Sequence, residues 1–207
     1  MNENIKADDR VREIKRSFRL MMNGVVAQSM REKGLHYRLN WGVDLPALKE
    51  MAKKYGKDYG LAIALWKENI RECKILATLI MPAEEMRPED VDAWISQTET
   101  VEIAEQASMN LYQYIPFVKN ESLKWIASED ELRQLCGFHV LSRMFMKGFV
   151  PEKQVADEFL ARAMSAICSK SLTVGKAAFA SVVRFAGLNE QNSLQAQKAM
   201  DSIGIEL

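Results

Sequence analysis

The sequence has few of the residues that chemistry most often depends on. It holds three cysteines, Cys73, Cys136 and Cys168, far apart and with no C-x-x-C pair. That excludes a disulfide framework, points to a reducing compartment and leaves thiols that read as buried and structural. The only histidines, His36 and His139, have no ligand spacing around them, so no metal site and no cofactor is expected. No apolar run reaches membrane-spanning length, and "MNENIKADDR" carries no hydrophobic signal core. The expectation is a cytoplasmic protein that does not engage a membrane. Prolines number only five, and they stand at what read as helix boundaries. Net charge is zero, yet unevenly spread: +5 over residues 1–60, −8 over 61–132 and +3 over 133–207. A neutral total argues against avid nucleic-acid binding, which rests largely on phosphate contacts, but two basic ends leave room for a local basic face.

What remains is a 207-residue chain, 48% hydrophobic and 27% charged, whose apolar residues recur at helical spacing. In "DDRVREIKRSFRLMMNGVVAQSMREKG" they fall at Val11, Ile14, Phe18, Met21, Val25 and Met30. "DLPALKEMAKKYG" reads as a short helix with Pro46 in its first turn and Gly56 as its stop. "KDYGLAIALWKE" and "NIRECKILATLIM" form a pair closed by Pro82. "RPEDVDAWISQ" starts near Pro88, and "TVEIAEQASMNLYQYI" runs to Pro116. Ser128 and Glu131 give "SEDELRQLCGFHVLSRMFMKG" capping-box spacing, with Gly148 to end it. "PEKQVADEFLARAMSAICSK", "SLTVGKAAFASVVRFAG" and "NEQNSLQAQKAMDSIG" complete the chain. No strand pattern is evident. About ten helices joined by short loops, each with one apolar stripe, predict an all-α solenoid of stacked pairs, taken as one domain over residues 1–207, with a globular bundle as the alternative.

"WGVDLPALKEMAKKYG" and "LAIALWKENIRECKILATLIM" resemble the bacterial DNA alkylation repair family, alkylpurine DNA glycosylases built of HEAT-like repeats. The matching positions are Gly42, Val43, Pro46 and Leu48, then Leu65, Trp66, Arg71, Glu72 and Ala77. The resemblance continues through "VDAWISQTETVEIAEQA" and more loosely to about residue 190. It implies a HEAT-like helical-repeat solenoid and double-stranded DNA, possibly alkylated, as partner. Active members look like W-D-x-x-D at the start of the helix matching residues 101–116. Here that stretch reads Val101-Glu102-Ile103-Ala104-Glu105, so Glu105 stands where the catalytic aspartate belongs and Val101 where a tryptophan does. A second tryptophan belongs near Ala180 and Ser181. Basic side chains of the later helices hold phosphates in the family, which implies Arg133, Arg143, Lys147, Lys170, Lys176 and Arg184 here.

These substitutions bear on chemistry. An alkylated purine is cationic and its glycosidic bond is already weakened. A carboxylate can stabilise the developing sugar cation, and aromatic faces complement the charged base. Glutamate keeps the charge but lengthens the arm by ~1.5 Å, and misplacement of about 1 Å can cost about a hundredfold in rate. The resulting expectation is a DNA-binding HEAT-like repeat protein with reduced or absent glycosylase activity. Two alternatives stand beside it: a working alkylpurine glycosylase using Glu105, and a protein-binding helical scaffold. The bland reading of the glutamates makes Thr100 a helix cap and puts Glu102 at the positive end of the helix dipole. Trp66, Trp94 and Trp125 lie on apolar stripes and read as core.

Overall fold

A computed structural model describes residues 2–206, with side chains from Ala7 onward. Every regular element among the described residues is helical. In order they are α1 (Asn2–Leu20), α2 (Gly24–Glu32), α3 (Leu45–Tyr55), α4 (Tyr59–Trp66), α5 (Arg71–Ile80), α6 (Pro88–Ser96) and α7 (Val101–Asn110). A 3-10 turn (Tyr112–Tyr114) then precedes α8 (Val118–Ile126), α9 (Glu131–Met146), α10 (Lys153–Ile167), α11 (Leu172–Ala186) and α12 (Glu190–Asp201). No described helix is long and apolar enough to cross a membrane. The chain divides into two compact units, one ending at Leu111 and one starting at Tyr112.

In the first unit α1 lies on α4, α4 pairs with α5, and α5 also receives α3 and α7. Val11, Ile14 and Phe18, spaced as an apolar stripe, bury that face of α1. Arg10 pairs with Asp58 and Lys15 with Glu68, the latter at 3.0 Å, along the margins of the contact. The two tryptophans expected in the core, Trp66 of α4 and Trp94 of α6, stack in parallel with ring centroids 4.0 Å apart. Trp41, outside any stripe, is also buried and leans on Phe18 at 5.7 Å.

In the second unit α8 packs on α9, α9 on α11, and α11 on both α10 and α12. Trp125 meets Tyr112 edge-on, and Phe145, Phe159 and Phe185 close the contact of α9, α10 and α11. At Gly137 helices α8 and α9 approach so closely that a β-carbon would fall 2.7 Å from Ile126 Cγ2 and 2.9 Å from the Ile126 nitrogen.

Several expectations change. The first apolar run is not continuous: α1 stops at Leu20, and Asn23 starts α2 by accepting the Val26 amide. The Asn23 amide is meanwhile drawn to the Trp41 carbonyl at 2.8 Å. Met21 and Val25, read as stripe positions, are exposed as a result. Helix α7 ends at Asn110, with only a 3-10 turn before Pro116. Helix α8 is an addition to the helices read from the sequence. Asp130, not Ser128, caps α9 by accepting the Arg133 amide, while the Ser128 hydroxyl accepts the Asp130 amide. Cys73 and Cys136 are buried as expected, but Cys168, at the C-terminal cap of α10, is exposed.

Candidate nucleic-acid interface

The start of α7 has a definite partner set. Thr100 caps it by accepting the Ile103 amide. Glu102, in the first turn, does more than face a helix dipole. Its carboxylate takes two hydrogen bonds from the buried Arg71, 2.8 Å from Nε and 2.6 Å from Nη2. It accepts a third from the Tyr37 hydroxyl at 2.5 Å, and Thr100 donates to Tyr37 at 3.0 Å. Burial alone would push the Glu102 carboxyl up, but the bonds from Arg71 and Tyr37 outweigh it and hold it below the ordinary range. Arg71 also donates to the Val43 carbonyl at 2.9 Å. Beside it, fully buried Glu72 accepts the Trp41 and Val43 amides at 3.2 and 3.3 Å.

The positions that carry the family resemblance therefore build an internal frame. Arg71 and Glu72 fasten the loop through Tyr37, Trp41 and Val43 to α5 and α7. Gly42, at φ 72°, allows that loop to cross the start of α2, where a β-carbon would meet the Asn23 carbonyl at 2.2 Å. Sequence reasoning named Arg71 and Glu72 but missed their link to Glu102 and the role of Tyr37. Two adjacent charges within the apolar run "IRECKILATLI" were the available signal, since buried charges are rarely unpaired.

Glu105 lies one turn beyond Val101 on α7, half-buried, as is Val101. Burial, and then the neighbouring Glu102 charge, push its carboxyl above the ordinary range. Glu99 is exposed in the turn before the helix. It faces Lys74, whose ammonium is pushed down to about 8 by burial, with the charge of Glu99 opposing the shift. Lys74 also sits 4.2 Å from the centroid of Trp66.

The six cations read as phosphate contacts all belong to the second unit. Arg133 is half-buried in the first turn of α9, and Arg143 is half-buried near its end. Lys147 is exposed just beyond. Lys170 and Lys176 border the cleft at the α10–α11 connection, together with Ser169, Ser171 and Phe179. Arg184 is exposed two turns after Lys176. Lys176, Ala180 and Arg184, four residues apart, share one exposed face of α11, a helix with no acidic residue. Ser181 points the other way and is fully buried, its hydroxyl donating to the Ala178 carbonyl at 2.8 Å. Of the two positions nearest the family's second tryptophan, only Ala180 reaches the surface, and it lies between two cations. Among the described residues, none of Arg143, Lys147, Lys170, Lys176 and Arg184 forms an ion pair with a carboxylate. His139, on the same α9, is held below the ordinary imidazole range by burial. No described group of histidine, cysteine and carboxylate side chains has the arrangement of a metal site.

The sequence pattern of the family described as "DNA alkylation repair enzyme" matches residues 14–171, most of the chain. The chain belongs to the DNA alkylation repair enzyme family. A search of curated proteins finds no match. Among solved structures, one superimposes with a TM-score of 0.83 at 18% identity, covering 93% of this chain and 83% of the other. It is described as "a new family of proteins related to the HEAT-like repeat DNA glycosylases with affinity for branched DNA structures". At that identity the likeness establishes the fold: this DNA alkylation repair family member is a HEAT-like repeat protein.

Proposed function

We propose that this chain is a DNA-binding member of its family in which base excision is weak or absent, with backbone phosphates held by the cations of the second unit. The observation that carries this reading is the set of five cations without carboxylate partners, Arg143, Lys147, Lys170, Lys176 and Arg184. Like charges gathered on a surface repel one another, and a polyanion relieves that repulsion while releasing its condensed counterions. Family membership supports DNA as the polyanion, as does the branched-DNA affinity of the structurally similar protein.

Weak excision follows from the side chains at the family's reactive positions. A half-exposed valine at 101 and an exposed methyl group at 180 offer no aromatic face to a cationic purine or sugar. Ser181, sealed in the core, supplies nothing to the surface. Glu105 retains a carboxylate, so electrostatic stabilisation of a sugar cation is available. The walls that would orient the base are lacking.

Titration of a labelled duplex at two salt concentrations tests the binding. Affinity should fall steeply with salt and depend little on sequence. Lys176→Ala with Arg184→Ala should weaken binding on any duplex. The pair should also flatten the plot of log K against log salt by about one unit for each phosphate no longer neutralised. Glu99→Ala should leave both unchanged. A duplex affinity insensitive to the double change would remove α11 from the interface.

A further inference from the structure

A second feature of the second unit is used neither by the phosphate contacts of α11 nor by the excision chemistry. Tyr114, which ends the 3-10 turn, keeps 54% of its surface exposed. The Lys147 ammonium sits 4.2 Å from its ring centroid. Arg143, one helical turn before Lys147, has a buried Nε with no hydrogen-bond acceptor among the described residues. The contact its guanidinium does make is with the Met146 sulfur at 3.8 Å. Five residues after Tyr114, Lys119 lies 3.9 Å from the ring centroid of Phe149, which is two residues beyond Lys147. Two short segments, 114–119 and 143–150, thus carry both cations and aromatic rings, and Met146 and Val150 of the second are exposed.

The unmet need in this combination is the buried Arg143 Nε, while Lys147 beside it is exposed. Burial, and then the charge of Arg143, push the Lys147 ammonium below the ordinary lysine range. No carboxylate pairs with Arg143, Lys147 or Lys119 among the described residues. Contact with a solvent-exposed ring is a weak substitute for a counter-charge. An anion would satisfy the cations, and a flat apolar face would cover the exposed ring. A nucleotide offers both at once. Inside a paired duplex both faces of each base are already stacked, so away from blunt ends a free face comes from an unpaired nucleotide. Lysine, on a flexible four-carbon stem, can exchange the ring for a phosphate without moving the backbone.

We propose that Tyr114, with Lys147 against its ring and with Arg143 and Lys119 on the adjoining segments, holds an unpaired nucleotide at a branch or strand end of DNA, the ring stacking on the base and the cations taking the adjoining phosphates. This rests on the DNA-binding reading above and adds the class of DNA. The test uses the full chain with three labelled DNAs: a blunt duplex, the same duplex with a single-stranded fork, and the single strand alone. The fork should bind more tightly than the blunt duplex. Tyr114→Ala should lower fork affinity about tenfold, within the range for loss of one stacked base, and change blunt-duplex affinity by less than about twofold. Tyr114→Phe, which keeps the ring, should restore fork binding. Arg143→Gln with Lys147→Gln should weaken both. A fork preference unchanged in Tyr114→Ala would overturn the inference while leaving duplex binding in place. Failure to bind any of the three DNAs would overturn the DNA reading as well. Polyglutamate binding that shows the same loss in Tyr114→Ala would assign the surface to an acidic peptide and overturn the nucleotide.

Discussion

Glu102 shows how the environment of one side chain fixes its role. It meets a fork of two Arg71 nitrogens and a tyrosine hydroxyl, and Arg71 is buried to 2% exposure, so removing the Glu102 charge leaves a buried guanidinium with Glu72, at 3.3 Å, as its remaining carboxylate partner. Breaking such a pair costs on the order of 3 kcal/mol. Glu102→Gln should therefore lower stability by about that amount at neutral pH, read by urea unfolding. The folded-state pKa of Glu102 lies below its unfolded value, so its contribution is present above the ordinary carboxylate value of about 4.3 and is lost as pH falls through the lower folded one. The gap between wild type and Glu102→Gln should narrow progressively as pH falls below about 4. A gap constant from neutral to acidic pH would show that shape, not charge, is what the substitution removes. The sequence places Glu102 at a helix start, and the structure agrees. Its ion pair was hidden because Arg71 lies 31 residues away and joins it only when α5 and α7 pack.

At the scale of helices, most boundaries were legible from caps and prolines. Asp44, Pro46 and Gly56 delimit α3, and Asn189 starts α12, because these residues satisfy or terminate backbone bonds locally. What escaped were events decided by other parts of the chain. Asn23 breaks the first apolar run because the Trp41 carbonyl competes for its amide, and Gly42 makes that approach possible. Helix α8 forms without a side-chain cap, and Val118, Trp125 and Ile126 find their burial in tertiary contact. Gly137, where α8 meets α9, gives the corresponding prediction. Alanine normally gains up to about 1 kcal/mol over glycine inside a helix. Here its β-carbon would press on the Ile126 nitrogen and the Ser122 carbonyl at 2.9 and 3.0 Å, backbone atoms that cannot turn aside. Overpacking of this kind costs about 1–3 kcal/mol, so Gly137→Ala should be a net loss. Gly175→Ala, on α11, would meet its nearest atom at 3.4 Å and should be neutral or stabilising. Thermal melts of the two variants decide the matter, and equal shifts would contradict the close crossing.

At the scale of the molecule, the HEAT-like repeat fold and the family were both present in the sequence, the first in helical periodicity and the second in core positions such as Leu48, Trp66 and Ala77. The function was less legible, because those same core positions keep the fold whether or not the reactive side chains remain. The cations of α9 and α11 were found through the resemblance. Tyr114 and Phe149 were not, since they sit where helices end and periodicity gives no direction. The central claim is that DNA binding persists while excision has faded, and one experiment addresses both halves. A duplex carrying 7-methylguanine is incubated with the protein and with Glu105→Gln, and released base is measured alongside the bound fraction. Both proteins should bind the duplex in a salt-sensitive manner, with release in either case slow or undetectable. Rapid release by the wild type, abolished in Glu105→Gln with binding intact, would contradict the account and establish a working glycosylase.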